Sequence, residues 1–205
     1  MKKFELTAEF VTNVFGKKLF RIKALVAFGN VEKGELGGFI EKEDNLSHDG
    51  DAWVSGNALV CGNALVFGDA QVFGDAQVFG NAQVFGDAQV FGDAQVFGNA
   101  LVSGNALVCG DALVCGNALV CGNALVSGNA DYAVVAGFGR YSRTTTFFRC
   151  KDKIIRVQCG CFYGDLAQFR EIVKKTHGDR KYAKEYLAIA DLMELHFSDE
   201  CGGEQ

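Results

Sequence analysis

The sequence predicts an all-β solenoid over residues 39–139, preceded by an N-terminal β segment (1–38) and followed by a β-hairpin with two amphipathic helices (140–205). Two observations carry this. From Ala52 to Asn129 the chain is thirteen unbroken hexapeptides of the form Ala-x-Val-x-Gly-(Asn/Asp). Gly accounts for 26 of 205 residues and Pro for none, so the corners between strands must rest on Gly, Asn and Asp.

Within each hexapeptide four residues alternate as a short strand, so Ala and Val face one way and the two variable positions the other. Gly-Asn or Gly-Asp then turns the chain, because these residues tolerate positive φ at low cost. A unit this short cannot bury its apolar side alone; stacked coils let Ala and Val build one continuous core.

The pattern resembles the left-handed parallel β-helix of hexapeptide-repeat proteins, in which three hexapeptides make one triangular coil. The resemblance implies that residues 18 apart stack directly, at ~4.8 Å per coil. Thirteen units then make a little over four coils. Ile40 and Leu46, at multiples of six before Ala52, and the pairs Ala130/Tyr132 and Ala136/Phe138 after the repeats, are expected to extend the stack to five or six.

On this mapping one corner column is an Asn ladder, Asn63, Asn81, Asn99 and Asn117. The other two columns hold Asp69 and Asp87, and Asp75, Asp93 and Asp111, making two acidic edges. Outward strand positions are apolar: Phe67 stacks on Phe85, Phe73 on Phe91 and Phe79 on Phe97, with Leu at the other outward position in the first and last coils and Gln in the middle. This Phe girdle has two readings. Aromatic ladders stabilise a stack through neighbour contacts; contiguous exposed apolar surface marks an interface.

Residues 4–11 and 18–27 read as two strands around Gly16. After the repeats, Thr144–Cys150 and Ile154–Phe162 read as a hairpin about Lys151-Asp152-Lys153. Asp165 caps a helix with Gln168 as capping-box partner and Gly178 as the stop. A final helix from about Asp179 carries Tyr182, Tyr186, Ile189, Met193 and Phe197 on one side. That stripe is expected to seal the solenoid's open end, to lie along one face, or to form an interface with a second copy.

The run Arg21-Ile-Lys-Ala-Leu, then Gly37-Gly-Phe-Ile, Asn45-Leu-Ser and Ala52-Trp-Val, resembles the lead-in of YdcK-type β-solenoid proteins, a family common in phage and prophage genomes. The likeness covers roughly residues 19–60 and the general repeat; the C-terminal segment lies outside it. The family carries no settled activity to transfer. Near-identical repeats point to recent duplication, which suits a phage gene.

Chemistry is sparse in the repeats. Net charge is −5, yet Asp51–Gly139 holds seven Asp and no Lys, Arg or His, so all twenty basic residues lie in the end segments. A groove for nucleic acid needs clustered cations, and the repeats have none. Many left-handed β-helices are trimeric acyltransferases with a His base, but here His48, His177 and His196 lie outside the coils, read as surface or packing residues. Cys159-Gly-Cys161 with Cys150 nearby lacks the paired Cys-x-x-Cys spacing of structural zinc. The Asp75/Asp93/Asp111 file is too linear to cage Ca²⁺, and seven Asp are too sparse to mimic a duplex. No cofactor and no metal is implied. The start lacks a signal-peptide apolar run, no stretch is long and apolar enough to span a membrane, and eight Cys without a leader point to reduced thiols in a cytoplasm. The sequence therefore points to a non-enzymatic interaction or assembly protein of phage or prophage type. It would self-associate or bind a host protein, a defence component among the possibilities, through its Phe/Leu faces and Asp edges. An acyltransferase-like trimer is the alternative.

Overall fold

The computed structural model describes residues 2–198. An N-terminal hairpin of β1 (Phe4–Thr12) and β2 (Lys18–Ala24) is followed by β3 (Leu36–Ile40) and then by β4 to β16, thirteen two-residue strands from Trp53–Val54 to Leu125–Val126. These stack in parallel into a solenoid of about five turns with three sheet faces. Register steps by 18 residues throughout, as in Gln71↔Gln89↔Leu107↔Leu125. Every repeat Ala and Val is buried, forming one core that runs the length of the rod.

From Gly56 to Gly122 each corner Gly sits at φ of +61° to +74°, where a side chain is strained. At Gly98 a Cβ would also lie 2.9 Å from the amide nitrogen of Gly116 in the next coil. Two separate constraints therefore fix Gly in the corners.

The lead-in departs from the expected register. Ile40 pairs with Val60 and Leu46 with Val66, a step of 20 rather than 18. Both occupy Val positions, not Ala positions, and the two extra residues lie in the corner between Leu46 and Ala52. Gly38 takes the Ala position because a Cβ there would meet the Ala58 carbonyl at 2.8 Å. Beside the second Val position, Asn45 ends a short 3-10 turn (Glu43–Asn45) and is fully buried.

The far flank also departs from expectation. Ala130 lies in a short 3-10 turn (Asn129–Asp131), and Tyr132–Phe138 is a strand, β17, of a separate antiparallel sheet. Ala136 and Phe138 are exposed, and only Tyr132 packs against the last coil. The repeat ends physically where the Gly-Asn corner ends: after Asn129 the sixth residue on is Val135, and a β-branched pair, Val134-Val135, keeps the chain extended.

β17 continues into β18 (Arg143–Arg149), β19 (Ile155–Cys159) and β20 (Phe162–Asp165). Alternation splits this sheet cleanly. Phe148 and Cys150 join the solenoid core, while Phe147 and Val157 join a second core with the helices. Helix α1 (Leu166–His177) is capped by Asp165 and Gln168 as expected, and α2 (Lys181–His196) packs beside it in the same core. The sheet seals the rod; the helices lie on its outer side.

Candidate interaction faces

A solenoid's terminal coils leave backbone groups with no next coil to pair with, and these invite strand addition. Both ends of this rod are closed. At the N-terminal end the Ala58, Val60 and Val66 carbonyls accept from Phe39, Glu41 and Ser47 N–H groups. Asn45 Nδ2 donates to the Gly62 and Ala64 carbonyls at 3.2 and 2.8 Å. Lys3 Nζ donates to Gly50 and Ala52 carbonyls at 3.1 and 2.9 Å. Burial pulls the Lys3 ammonium's pKa below the usual lysine value, against the pull of Asp51, Asp49 and Asp69. Phe4, Phe28 and Trp53 plug the core beneath.

At the other end the orphan donors meet acceptors. Leu119 N–H donates to Thr146 Oγ1 and Leu113 N–H to Asn129 Oδ1, both at 2.9 Å. The Asp131 carboxylate accepts from Ser127 and Gly128 N–H groups, and the Tyr132 hydroxyl donates to the Leu113 carbonyl. Burial beside Cys115 pushes the Tyr132 phenol up to about 12, so it remains a donor.

The surface left for contact is therefore lateral. The six girdle rings form three stacked pairs: Phe67–Phe85 at 4.9 Å, Phe73–Phe91 at 4.8 Å and Phe79–Phe97 at 4.9 Å, all within 4° of coplanar. Each ring is half-buried, because stacking covers one side and leaves an edge to solvent. Both sequence readings of the girdle thus coexist: the rings stabilise the stack and still present apolar edges.

The three faces are not equivalent. The Phe79 face is part-covered, with Phe15 of the β1–β2 loop 6.3 Å from Phe79 and Leu19 and Phe39 closing over Cys61. The Phe67 face is met at its far end by Gln158, which contacts Cys121. Among the described residues no ring of the end segments packs on Phe73 or Phe91, and the face runs uncovered from Gln71 to Leu125. It is also flanked on both sides by acidic columns: Asp51/Asp69/Asp87 follow the Phe67 face into it, and Asp75/Asp93/Asp111 lead out of it. These Asp are exposed. The third edge, between the other two faces, is the neutral Asn ladder, with side-chain amide bonds of 3.1, 3.0 and 3.0 Å from Asn63 through Asn117.

The remaining candidates are placed as follows. Tyr186, Ile189 and Met193 are buried in the chain's own second core, and Tyr182 is half-buried beside His177, so this stripe is committed within the chain rather than to a partner. Its spacing alone leaves open whether it packs on the rod or on a second copy, because β17 and β20, which complete the sheet beneath it, carry no strong strand signal. His48 accepts from the Lys3 N–H at 3.2 Å and lies 4.4 Å from the Phe4 ring, while His196 packs on Phe197. Cys159 faces the helices and accepts from Thr145, Cys150 faces the solenoid, and Cys161 is exposed on the turn, so the three thiols do not converge. Among the described residues no cluster of three metal-ligating side chains occurs, and no helix is long and apolar enough to cross a membrane.

Comparison with known proteins bears on the repeat alone. The family model for the YdcK beta solenoid repeat matches residues 94–110, the stretch in which the Gln/Phe coils give way to Leu/Ser/Cys coils. A search of curated proteins returned no match. Sequence period and 18-residue register make the rod of this chain a β-solenoid, and its repeat is similar to the YdcK beta solenoid repeat.

Proposed function

We propose that this chain is a non-catalytic interaction module that docks a partner protein laterally, through the Phe73/Phe91 face. The observation that carries this reading is the combination on one face of an uncovered apolar doublet and two acidic margins, on a rod whose ends are both capped. Closed ends direct association to the sides. Apolar edges supply contact area, and carboxylate margins select a partner whose apolar strip is bordered by Lys or Arg. Two copies joined through this face would bring acid against acid, so the face suits a different protein better than itself. A host protein met by a phage-encoded rod fits this chemistry, and near-identical coils accord with such an origin.

Self-association remains open to the Phe67 face, which borders the neutral Asn ladder. The test is Phe73→Ser with Phe91→Ser on the full chain, beside Phe67→Ser with Phe85→Ser. Solution mass is read by light scattering and partner capture by pull-down. The proposal expects capture to fall with the first pair, and with added salt, while mass responds only to the second pair if at all. Unchanged capture and unchanged mass in both would refute it.

A further inference from the structure

The C-terminal cap contains a cleft that the solenoid reading does not use. It has a volume of about 190 Å³ and lies between the β17–β18 turn, the end of β19 and the last turns of α1. Its floor is apolar, built from Phe162, Phe169, Ile172 and Val173, with the Tyr186 phenol at its base. Its mouth carries Arg140, Tyr141 and Arg143 from the turn and His177 from the helix end. Among the described residues no carboxylate lines it.

Residues 140–205 hold ten acidic residues beside twelve basic ones, so carboxylates are at hand in this segment. Three other guanidiniums of the cap have acidic partners: Arg149 pairs with Asp131, Arg156 with Asp152, and Arg170 with Asp191 and Glu194. Among the described residues Arg140 and Arg143 make no ion pair; both stack on the intervening Tyr141 ring, at 5.3 and 5.0 Å. Stacking fixes the guanidinium planes while leaving their N–H groups free to donate. The turn is held in place by its own glycine. Gly139, at φ +74°, donates its N–H to Glu185 at 2.9 Å and leaves room for the Tyr186 ring beneath it. The Tyr186 phenol is pushed up to about 12 by burial and by Cys159, so it stays protonated at the base of the cleft.

We propose that this cleft binds a small organic anion: one ring or short alkyl body on the apolar floor, with a carboxylate or phosphate head held by Arg140 and Arg143. The guanidinium fork matches either head, and the volume admits a single-ring body. The site is independent of the Phe73 face, so the two readings stand or fall separately.

The test is a titration of the isotope-labelled full chain by amide NMR with phenyl phosphate, phenylacetate and the neutral benzyl alcohol. Either anion is expected to shift amides of residues 139–143 and 172–177, with dissociation at about 1 mM or tighter. Benzyl alcohol is expected to bind at least tenfold more weakly. Stronger binding of phenyl phosphate assigns the head as a phosphate, and stronger binding of phenylacetate as a carboxylate. Arg140→Ala with Arg143→Ala, both on the exposed turn, is expected to abolish the preference for anions while leaving thermal unfolding unchanged. No shifts with either anion, equal binding of the neutral probe, or undiminished anion binding in the double variant overturns the proposal.

Discussion

Asn45 is the side chain on which the first coil most depends, and its removal is a quantitative test of the capped end. It is fully buried, donates to two carbonyls, and through Oδ1 accepts from the Lys42 N–H at 3.0 Å. Replacement by Ala deletes three hydrogen bonds without admitting water to the groups left behind. At about 1 kcal/mol net for each, the loss is about 3 kcal/mol. In urea unfolding followed by far-UV circular dichroism, with a slope of about 2 kcal/mol/M, the midpoint falls by roughly 1.5 M. Asn45→Asp separates hydrogen bonding from volume. A carboxylate has no donor for the Gly62 and Ala64 carbonyls and is repelled by both, so its folded-state pKa lies above the unfolded value of about 3.9. A raised pKa means stability that is present below the unfolded pKa and lost as pH rises through the folded one. The deficit of this variant is therefore expected to be larger at pH 8 than at pH 5. An Asn45→Ala loss under about 0.5 kcal/mol, or an Asn45→Asp deficit that ignores pH, would refute the capping argument.

Three further outcomes are expected. Gly98→Ala meets the backbone of the next coil and a positive φ, whereas Gly116→Ala in the last coil meets only the φ, with nothing within 4 Å of its Cβ. The second is expected to cost about 1 kcal/mol and the first at least twice that, and equal thermal shifts would disprove the close stacking of corners. Asp93→Asn, between Asp75 and Asp111, removes like charges from a single file and is expected to stabilise by about 0.5 kcal/mol at low salt, the gain fading as salt is raised. A gain that persists at high salt would assign it to the amide rather than the charge. Iodoacetamide followed by mass spectrometry is expected to label exposed Cys161 first among the described thiols. Cys121, pushed up to about 11 by burial, and Cys61 and Cys150, raised by the same cause, are expected last. Rapid labelling of Cys121 would mean that Gln158 does not cover it.

Most of the rod is legible in the sequence because one physical rule, a stride of 18, places every Ala, Val, Phe and corner residue at once. The Asn ladder and all three Phe stacks follow from it. The rule fails where its corner residue is absent. Beyond Asn129, Ala and Tyr still fall at plausible spacings, but without Gly-Asn the chain cannot turn and leaves as β17. The lead-in misleads differently: Ile40 and Leu46 are apolar at multiples of six, yet a longer corner moves both by two residues. Nothing in residues 47–51 announces that length. The capping box at Asp165 is local and was readable, whereas the surface that buries Tyr186 and Met193 comes from strands distant in sequence.

Near-identical coils make the rod's length a separable property. Excising residues 76–93 would remove one whole coil and rejoin Asp75 to Ala94 with every column still in step, shortening the rod by ~4.8 Å. The same excision takes Phe79, Phe85 and Phe91, one ring from each doublet, so all three faces would lose their stacked pair in a single event. A gene for such a chain can change reach and grip together by slipping one repeat unit, leaving both caps untouched.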